Sequence, residues 1–451
     1  MNAILGLSAV EQSALLRRGE LSSMELTRLY LQRIERLDSA LSSFVHVSPR
    51  RALLAAALWD RARRRGRAPT SLLSGVPIGI KDLNLVRGMP ARFGSRAFRW
   101  LIAPVHDETV RLLLAAGVIV LGKLTTSELG AMPVTEPDIH APTRNPWDRT
   151  RTAGGSSGGS GAAVAASLVP IAQGSDGGGS IRIPAAFNHL FGFKASRGLM
   201  ARSKVGDKLA LVVQGALART VDDSAAMHDL LTSGGSDATS AIAPPPGLRI
   251  GLSLDTIVSA TDPEIAAAVR RLAAVLGDLG HHVEESPWVN IAPEEFLMLW
   301  SRTVADVPVL RESVLQPVTR WLRASGRLLS ADQVQRQKTM LAGRIDDWFA
   351  GSSGFDLRLS PTVPCAPPLI DGWRAERPED SFARIVPIGS FTAVFNVSGQ
   401  PAMAIPLGIS SMGLPMSAQL AAPRGQDALL FGLGRQLEAA LGGFRKRPGG
   451  Y

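Results

Sequence analysis

Cysteine is almost absent. Cys365 is the single thiol in 451 residues, so no internal disulfide can form. It lies in a proline-rich segment with no base beside it and reads as a small buried side chain. Aromatic residues make up 5% of the chain, which leaves few platforms for stacking bases despite a net charge of +10. The arginines are scattered. Their densest cluster, Arg61-Ala62-Arg63-Arg64-Arg65-Gly66-Arg67, follows the Ala/Leu-rich stretch Ala52 to Trp59 and reads as the solvated end of a helix, so no nucleic-acid partner is expected. The longest apolar run, Leu112 to Gly122, is too short to span a bilayer. The first ten residues lack the basic start and apolar stretch of a secretory signal, so a cytoplasmic protein without membrane contact is expected. The seven histidines form no His-Glu-x-x-His or similar spacing, and no Gly-x-x-x-x-Gly-Lys-Ser/Thr loop occurs. Neither a metal nor a cofactor is expected.

Glycine and serine are where the chain is rich. Ser156 sits in Gly154-Gly155-Ser156-Ser157-Gly158-Gly159-Ser160, and Ser180 in Gly174-Ser175-Asp176-Gly177-Gly178-Gly179-Ser180-Ile181-Arg182-Ile183-Pro184. Upstream, Lys81 stands in Gly79-Ile80-Lys81-Asp82. Three glycines directly before a serine let the backbone approach a reacting carbonyl closely, because glycine tolerates positive φ and has no Cβ. Successive N–H groups can then converge to hold an oxyanion. Each motif alone has a plainer reading. The Gly154 to Gly161 stretch is also what a flexible linker or a phosphate cradle looks like, and a lone lysine in a strand-like segment is usually solvated. Together they have the makings of a serine hydrolase that works without histidine.

Along the chain, Ser22-Ser23-Met24-Glu25 is a capping box that opens a helix marked by Leu26, Leu29, Tyr30, Ile34 and Leu37. The stretch Gly75 to Leu85 reads as a strand edge that delivers Lys81, Thr109 to Gly117 as a helix and Val118 to Gly122 as a strand. Buried helices are expected over Ala162 to Leu168 and Pro184 to Leu190, with Ile171 to Gly174 returning the chain between them. Thr232 to Gly247, rich in Gly, Ser, Ala and Pro, is the one plausible linker. Beyond it, Leu248 to Leu254 resembles a strand, Asp262 to Leu279 a helix, and Ser330 caps a helix reaching Phe349. The terminal Arg445 to Tyr451 is expected to fray. Helix and strand alternate, which favours an α/β fold.

These motifs, with Gly122-Lys123-Leu124-Thr125-Thr126-Ser127-Glu128, Thr143-Arg144-Asn145-Pro146-Trp147, Ser360-Pro361-Thr362-Val363-Pro364 and Asn396-Val397-Ser398-Gly399-Gln400-Pro401, resemble the amidase signature family over nearly the whole chain. The resemblance implies a single α/β/α domain, residues 1–451, with a large mixed central sheet covered by helices. It makes Ser180 the nucleophile, Ser156 a bridging serine after a cis peptide, and Lys81 the base. The backbone N–H groups of Gly177, Gly178, Gly179 and Ser180 would form the oxyanion hole. Ser157, Asp176 and Arg182 would support the loops, with Asp176 and Arg182 paired. A serine hydroxyl both donates and accepts, so Ser156 can take a proton from Ser180 while passing its own to a neutral lysine. For that, the lysine pKa must fall from about 10.4 to the range of about 7 to 8.

The implied reaction is hydrolysis of a linear amide, anilide or carbamate (urethane) through an acyl-enzyme, with a small-molecule substrate and water as partners and a monomer or homodimer as the assembly. The alternative is the glutaminase subunit of a tRNA-dependent amidotransferase. Residues 1–70 are expected to be a helical segment packed on the domain, and 285–350 a variable helical segment lining the pocket with Phe296, Leu297, Met298, Trp300, Leu310 or Trp321. Met132, His140, Trp300 and Trp321 are the candidate substrate contacts, and Met132 to Ala141 and Ser203 to Leu211 are the fallback for a pocket wall. Gly192-Phe193-Lys194-Ala195-Ser196 departs from the usual family pattern after the Ser180 loop, and His140-Ala141-Pro142 and Asn188-His189 depart from it near the site.

Overall fold

The computed structural model describes residues 2–201, 207–232, 235, 237–351 and 354–451. Its strands are β1 (Phe44–Val47), β2 (Pro77–Lys81), β3 (Ile119–Leu124), β4 (Ile171–Asp176), β5 (Phe191–Lys194), β6 (Val213–Ala218), β7 (Arg249–Leu252), β8 (His282–Glu285), β9 (Leu357–Pro361), β10 (Ala402–Ile409) and β11 (Pro415–Ala421). They join in one 11-stranded sheet, in the order β1-β3-β2-β4-β6-β5-β10-β11-β9-β7-β8. The sheet is mixed: β2 runs parallel to β3 and β4, and β7 to β8 and β9, while the other pairings are antiparallel. Because one sheet takes strands from Phe44 to Ala421, the chain builds one domain.

Several local expectations shift. The strand bearing Lys81 is internal, flanked by β3 and β4, rather than an edge, and each of its five residues is buried. The N-terminal segment is not wholly helical, since Phe44–Val47 adds the antiparallel edge strand β1. Helix Ser23–Leu37 carries the expected Ser22/Glu25 capping box. The helix after Ser156 spans Gly158–Ala165 and so starts in the glycines, against their intrinsic preference. Packing is the reason: a Cβ on Gly159 would come within 2.5 Å of the Ser43 carbonyl oxygen and of the Thr125 nitrogen. The following helix, Arg182–Phe187, is shorter than expected.

The stretch Thr232 to Gly247 does not separate domains. Arg435 donates to the carbonyls of Ala238 and Ala241, and β7 enters the same sheet; residues 233, 234 and 236 of the stretch lie outside the described residues. The C-terminus is fastened rather than frayed. Arg445 pairs with Glu11, Arg447 donates to the Leu5 carbonyl, and the buried Phe444 stacks on Phe191. Residues 285–350 form helices Pro293–Ala305, Pro317–Arg327 and Ala331–Ala350. A cluster containing Ile183, Phe187, Trp300 and Leu322 joins the first two to the helix that follows the Ser180 loop, while Ala331–Ala350 packs through Val334, Leu341 and Ile345 in another cluster with Leu299 and Phe395. No helix among the described residues is long and apolar enough to cross a membrane.

Candidate active site

Neighbouring parallel strands deliver the key groups. Lys81 is the last residue of β2, and Asp176, the last of β4, leads into the Gly177-Gly178-Gly179-Ser180 loop. The Lys81 side-chain nitrogen is fully buried, 2.7 Å from Ser156 Oγ, 3.1 Å from Ser175 Oγ and 3.2 Å from the Ser175 carbonyl oxygen. Burial pushes its pKa down to about 7, opposed by the negative charge of Asp176. This set of contacts suits a neutral amine. The Ser175 carbonyl can only accept, which fixes one N–H, and the other N–H and the lone pair are left for two hydroxyls. The Lys81 backbone N–H donates to Gln173 Oε1 at 3.1 Å, which anchors the strand end.

The Gly155–Ser156 peptide is cis. The two serine loops are tied together by the Ser157 N–H, which donates to the Ser180 carbonyl at 3.2 Å, and by Ser157 Oγ, which donates to the Ser175 carbonyl at 3.2 Å. Ser156 and Ser180 line the same cavity.

Asp176 and Arg182 form the expected pair, wholly buried, with guanidinium contacts at 2.9 and 3.0 Å. Burial would raise the Asp176 pKa, but the Arg182 charge and hydrogen bonds overcome it and hold the carboxyl well below the usual carboxylate range. The remaining Arg182 donors reach the Thr392 carbonyl, Gln419 Oε1 and Asn396 Oδ1. Asp176 also accepts the Gly179 N–H at 2.8 Å. That corrects the four-donor oxyanion hole, because an N–H already spent on a carboxylate is not free to hold developing charge. The N–H groups of Gly177, Gly178 and Ser180 have no partner among the described residues. Gly179 itself is fixed by geometry: its φ is +127°, and a Cβ would lie 2.3 Å from Thr392 Oγ1.

Two cavities meet at Gly130, Ser180 and Trp300, with about 980 and 1020 Å³ of space between atoms. The first is a nearly apolar cleft walled by Met132, Ile257, Trp288, Phe296 and Phe382. The second is a mixed chamber holding Ser156, Ser175, Asn84, Gln214 and Thr303 beside Phe93 and Val304. Phe296 and Trp300 stack with ring centroids 5.9 Å apart, and the Trp300 indole donates to the Ala131 carbonyl at 2.9 Å.

Of the candidate substrate contacts, Met132 and Trp300 line the cleft and His140 and Trp321 do not. Trp321 lies one layer behind, against the cleft residue Phe382 at 5.6 Å, on a helix that packs on Pro293–Ala305 and Pro378–Ile385. Leu310 is fully exposed. Of the fallback stretch 203–211, residues 203–206 lie outside the described residues, and Asp207 lines the chamber. Sequence reasoning passed over Ser175, Gln173 and Gln214, which are brought to the site by sheet order, and Asn396, whose amide donates to the Asp176 carbonyl and carboxylate. Among the described residues, no group of three His, Cys, Asp or Glu could hold a metal ion.

Comparison with known proteins gives the arrangement its context. A family model described as Amidase matches residues 25–431. A putative amidase from Synechocystis sp. is 35% identical over 464 aligned positions, covering 98% of this chain and 90% of that protein. The 6-aminohexanoate-cyclic-dimer hydrolase of Paenarthrobacter ureafaciens is 34% identical over 498 positions, covering 98% of this chain and 96% of the relative. The solved structure of a bacterial aryl acylamidase of the amidase signature family superposes with a TM-score of 0.85 at 27% identity, covering 96% of both chains. With a match of that extent and a sheet of the same build, the chain belongs to the amidase signature family of enzymes that hydrolyse amide bonds.

Proposed function

We propose that the protein hydrolyses a linear amide, anilide or carbamate C–N bond, with Ser180 as nucleophile, Ser156 as proton relay and Lys81 as base. Ser180 Oγ attacks the carbonyl carbon and gives its proton to Ser156 Oγ, which passes its own to the neutral Lys81 amine. The oxyanion is held by the N–H groups of Gly177, Gly178 and Ser180, donors that are commonly worth roughly 3 kcal/mol each. The C–N bond then breaks as the proton returns through Ser156 to the leaving nitrogen. Once the amine has left, water attacks the acyl-enzyme with the same relay and releases the acid.

The observation that carries the reading is the buried Lys81 nitrogen at 2.7 Å from Ser156 Oγ with its pKa near 7, a lysine prepared to accept a proton at neutral pH. The likeness to an aryl acylamidase and the apolar cleft support bulky amides and anilides, and a carbamate offers the same serine a carbonyl. Asp176 and Arg182 serve to brace the glycine loop rather than to react. The test is a screen of aryl anilides, aliphatic amides, carbamates and glutamine with the parent enzyme and Ser180→Ala. Turnover of at least one class, lost in the variant, is expected; a variant as active as the parent would overturn the assignment.

A further inference from the structure

The two cavities meeting at Ser180 differ in chemistry, and the relay reaches only one of them. Ser156 lines the mixed chamber and is not part of the apolar cleft. In the tetrahedral intermediate the carbonyl carbon carries Ser180 Oγ, the oxyanion, the nitrogen and the acyl substituent. The oxyanion turns to the glycine N–H groups, and the nitrogen must face the hydroxyl that returns its proton. The acyl substituent is left with the remaining opening, the cleft of Met132, Ile183, Phe296 and Trp300.

The chamber also offers an amide donor to whatever enters it. The Lys81 backbone N–H can only donate, so the atom of Gln173 facing it is Oε1, and the Gln173 amide nitrogen is the side that donates to Gln214 at 2.8 Å. Gln214 therefore turns its oxygen to Gln173. Its own NH2 group has no partner among the described residues, although the side chain is only 3% exposed and lines the chamber. The neighbouring polar groups are engaged elsewhere: Asn84 Oδ1 accepts from Gln173, Thr303 Oγ1 donates to the Leu299 carbonyl, Ser175 Oγ pairs with Lys81, and the Asp207 carboxylate accepts the Leu211 and Val212 N–H groups. A buried donor without a partner favours a ligand that brings an acceptor to it.

We infer that the site reads its substrate in one direction, with a bulky apolar acyl group in the cleft and a compact amine in the chamber that places a hydrogen-bond acceptor on the Gln214 amide. The inference rests on the proposed Ser180, Ser156 and Lys81 chemistry and adds the substrate class. Glutamine is a poor fit, because its charged α-carbon end would lie in the apolar cleft with no ionic partner on the wall.

Three synthetic amides test it. The 4-phenylbutanoyl amides of 2-methoxyethylamine and of n-butylamine differ only by an ether oxygen in place of a methylene, and methoxyacetyl 4-phenylbutylamide reverses the arms. The parent enzyme is expected to favour the methoxyethyl amide over the butyl amide by about tenfold in kcat/KM, and over the reversed amide by at least about as much. In Gln214→Leu the methoxyethyl-to-butyl ratio is expected to fall to about one. The ratio is the readout, so a general loss of folded enzyme divides out. Gln214→Glu, which keeps an oxygen for Gln173 but lacks the donor, should lose the preference as well. Faster hydrolysis of the reversed amide, or a ratio unchanged in both variants, overturns the inference while leaving amide hydrolysis by Ser180 intact. Hydrolysis of all three amides that survives in Ser180→Ala, or of none by the parent, overturns the underlying mechanism and the inference with it.

Discussion

A lysine kept neutral by burial is a stability statement as well as a catalytic one. Lys81 titrates at about 7 in the fold against an ordinary value of 10.5. Between those values the unfolded chain holds a proton on this amine that the folded chain has released. Stability therefore rises with pH through that window, because the unfolded state binds more protons there, and the cost of burying the amine is fully present below pH 7. Integrating between pH 7 and pH 9 gives a gain of roughly 2 kcal/mol from this one group. Lys81→Met removes the titration and keeps an unbranched chain of similar length, at the loss of the contacts to Ser156 and Ser175. Denaturant unfolding of parent and variant at the two pH values isolates the effect, since the other titrating groups, including the buried Lys194 with its own pKa of about 7, are common to both. The parent is expected to gain roughly 2 kcal/mol on the variant between pH 7 and pH 9, and parent kcat/KM to climb tenfold per pH unit below about 7 before levelling. A stability difference that does not move with pH would refute the claim that burial keeps this lysine neutral.

Asp176→Asn should lower the unfolding free energy by roughly 3 to 5 kcal/mol, because Arg182 is left buried without its counter-charge; a urea midpoint close to that of the parent would contradict this. Gly179→Ala is expected to abolish turnover, since a Cβ there would overlap Thr392 Oγ1, and its kcat should not be rescued by higher substrate concentration. Trp300→Ala should reorder kcat/KM among large and small acyl groups by about tenfold or more. Trp321→Ala, one layer back against Phe382, should lower the thermal midpoint and leave the order alone. Matched substrate panels on both tryptophan variants check the pair.

The two serine loops were legible because their residue types are unusual. Runs of glycine beside Ser156 and Ser180 answer a backbone requirement that other residues cannot meet, and Lys81 sits one residue before a carboxylate in an otherwise apolar stretch. What the sequence hid is what sheet order decides. Ser175 reaches Lys81 only because β4 lies beside β2, and Gln214 enters the chamber only because β6 pairs antiparallel with β4; neither neighbour can be read from local pattern. The family resemblance implies an oxyanion role for the Gly179 N–H, whereas its actual partner follows from how the loop folds back on Asp176. Trp300 and Trp321 look alike in sequence, and the way their helices pack separates a cavity wall from a supporting layer. The C-terminal basic residues resembled a frayed tail because Glu11, which holds Arg445, lies at the other end of the chain.

The central claim is that an acyl group passes through Ser180, and it is tested most directly by trapping that intermediate. The enzyme is mixed with an aryl carbamate, whose carbamoyl-enzyme is slow to hydrolyse, quenched in acid within seconds, digested and mapped by mass spectrometry. The account predicts one carbamoyl group per chain on the peptide containing Ser180, absent in Ser180→Ala and formed more slowly as the pH falls below 7. A label on Ser156 or elsewhere in the parent, or turnover of the carbamate without any covalent species, would contradict it.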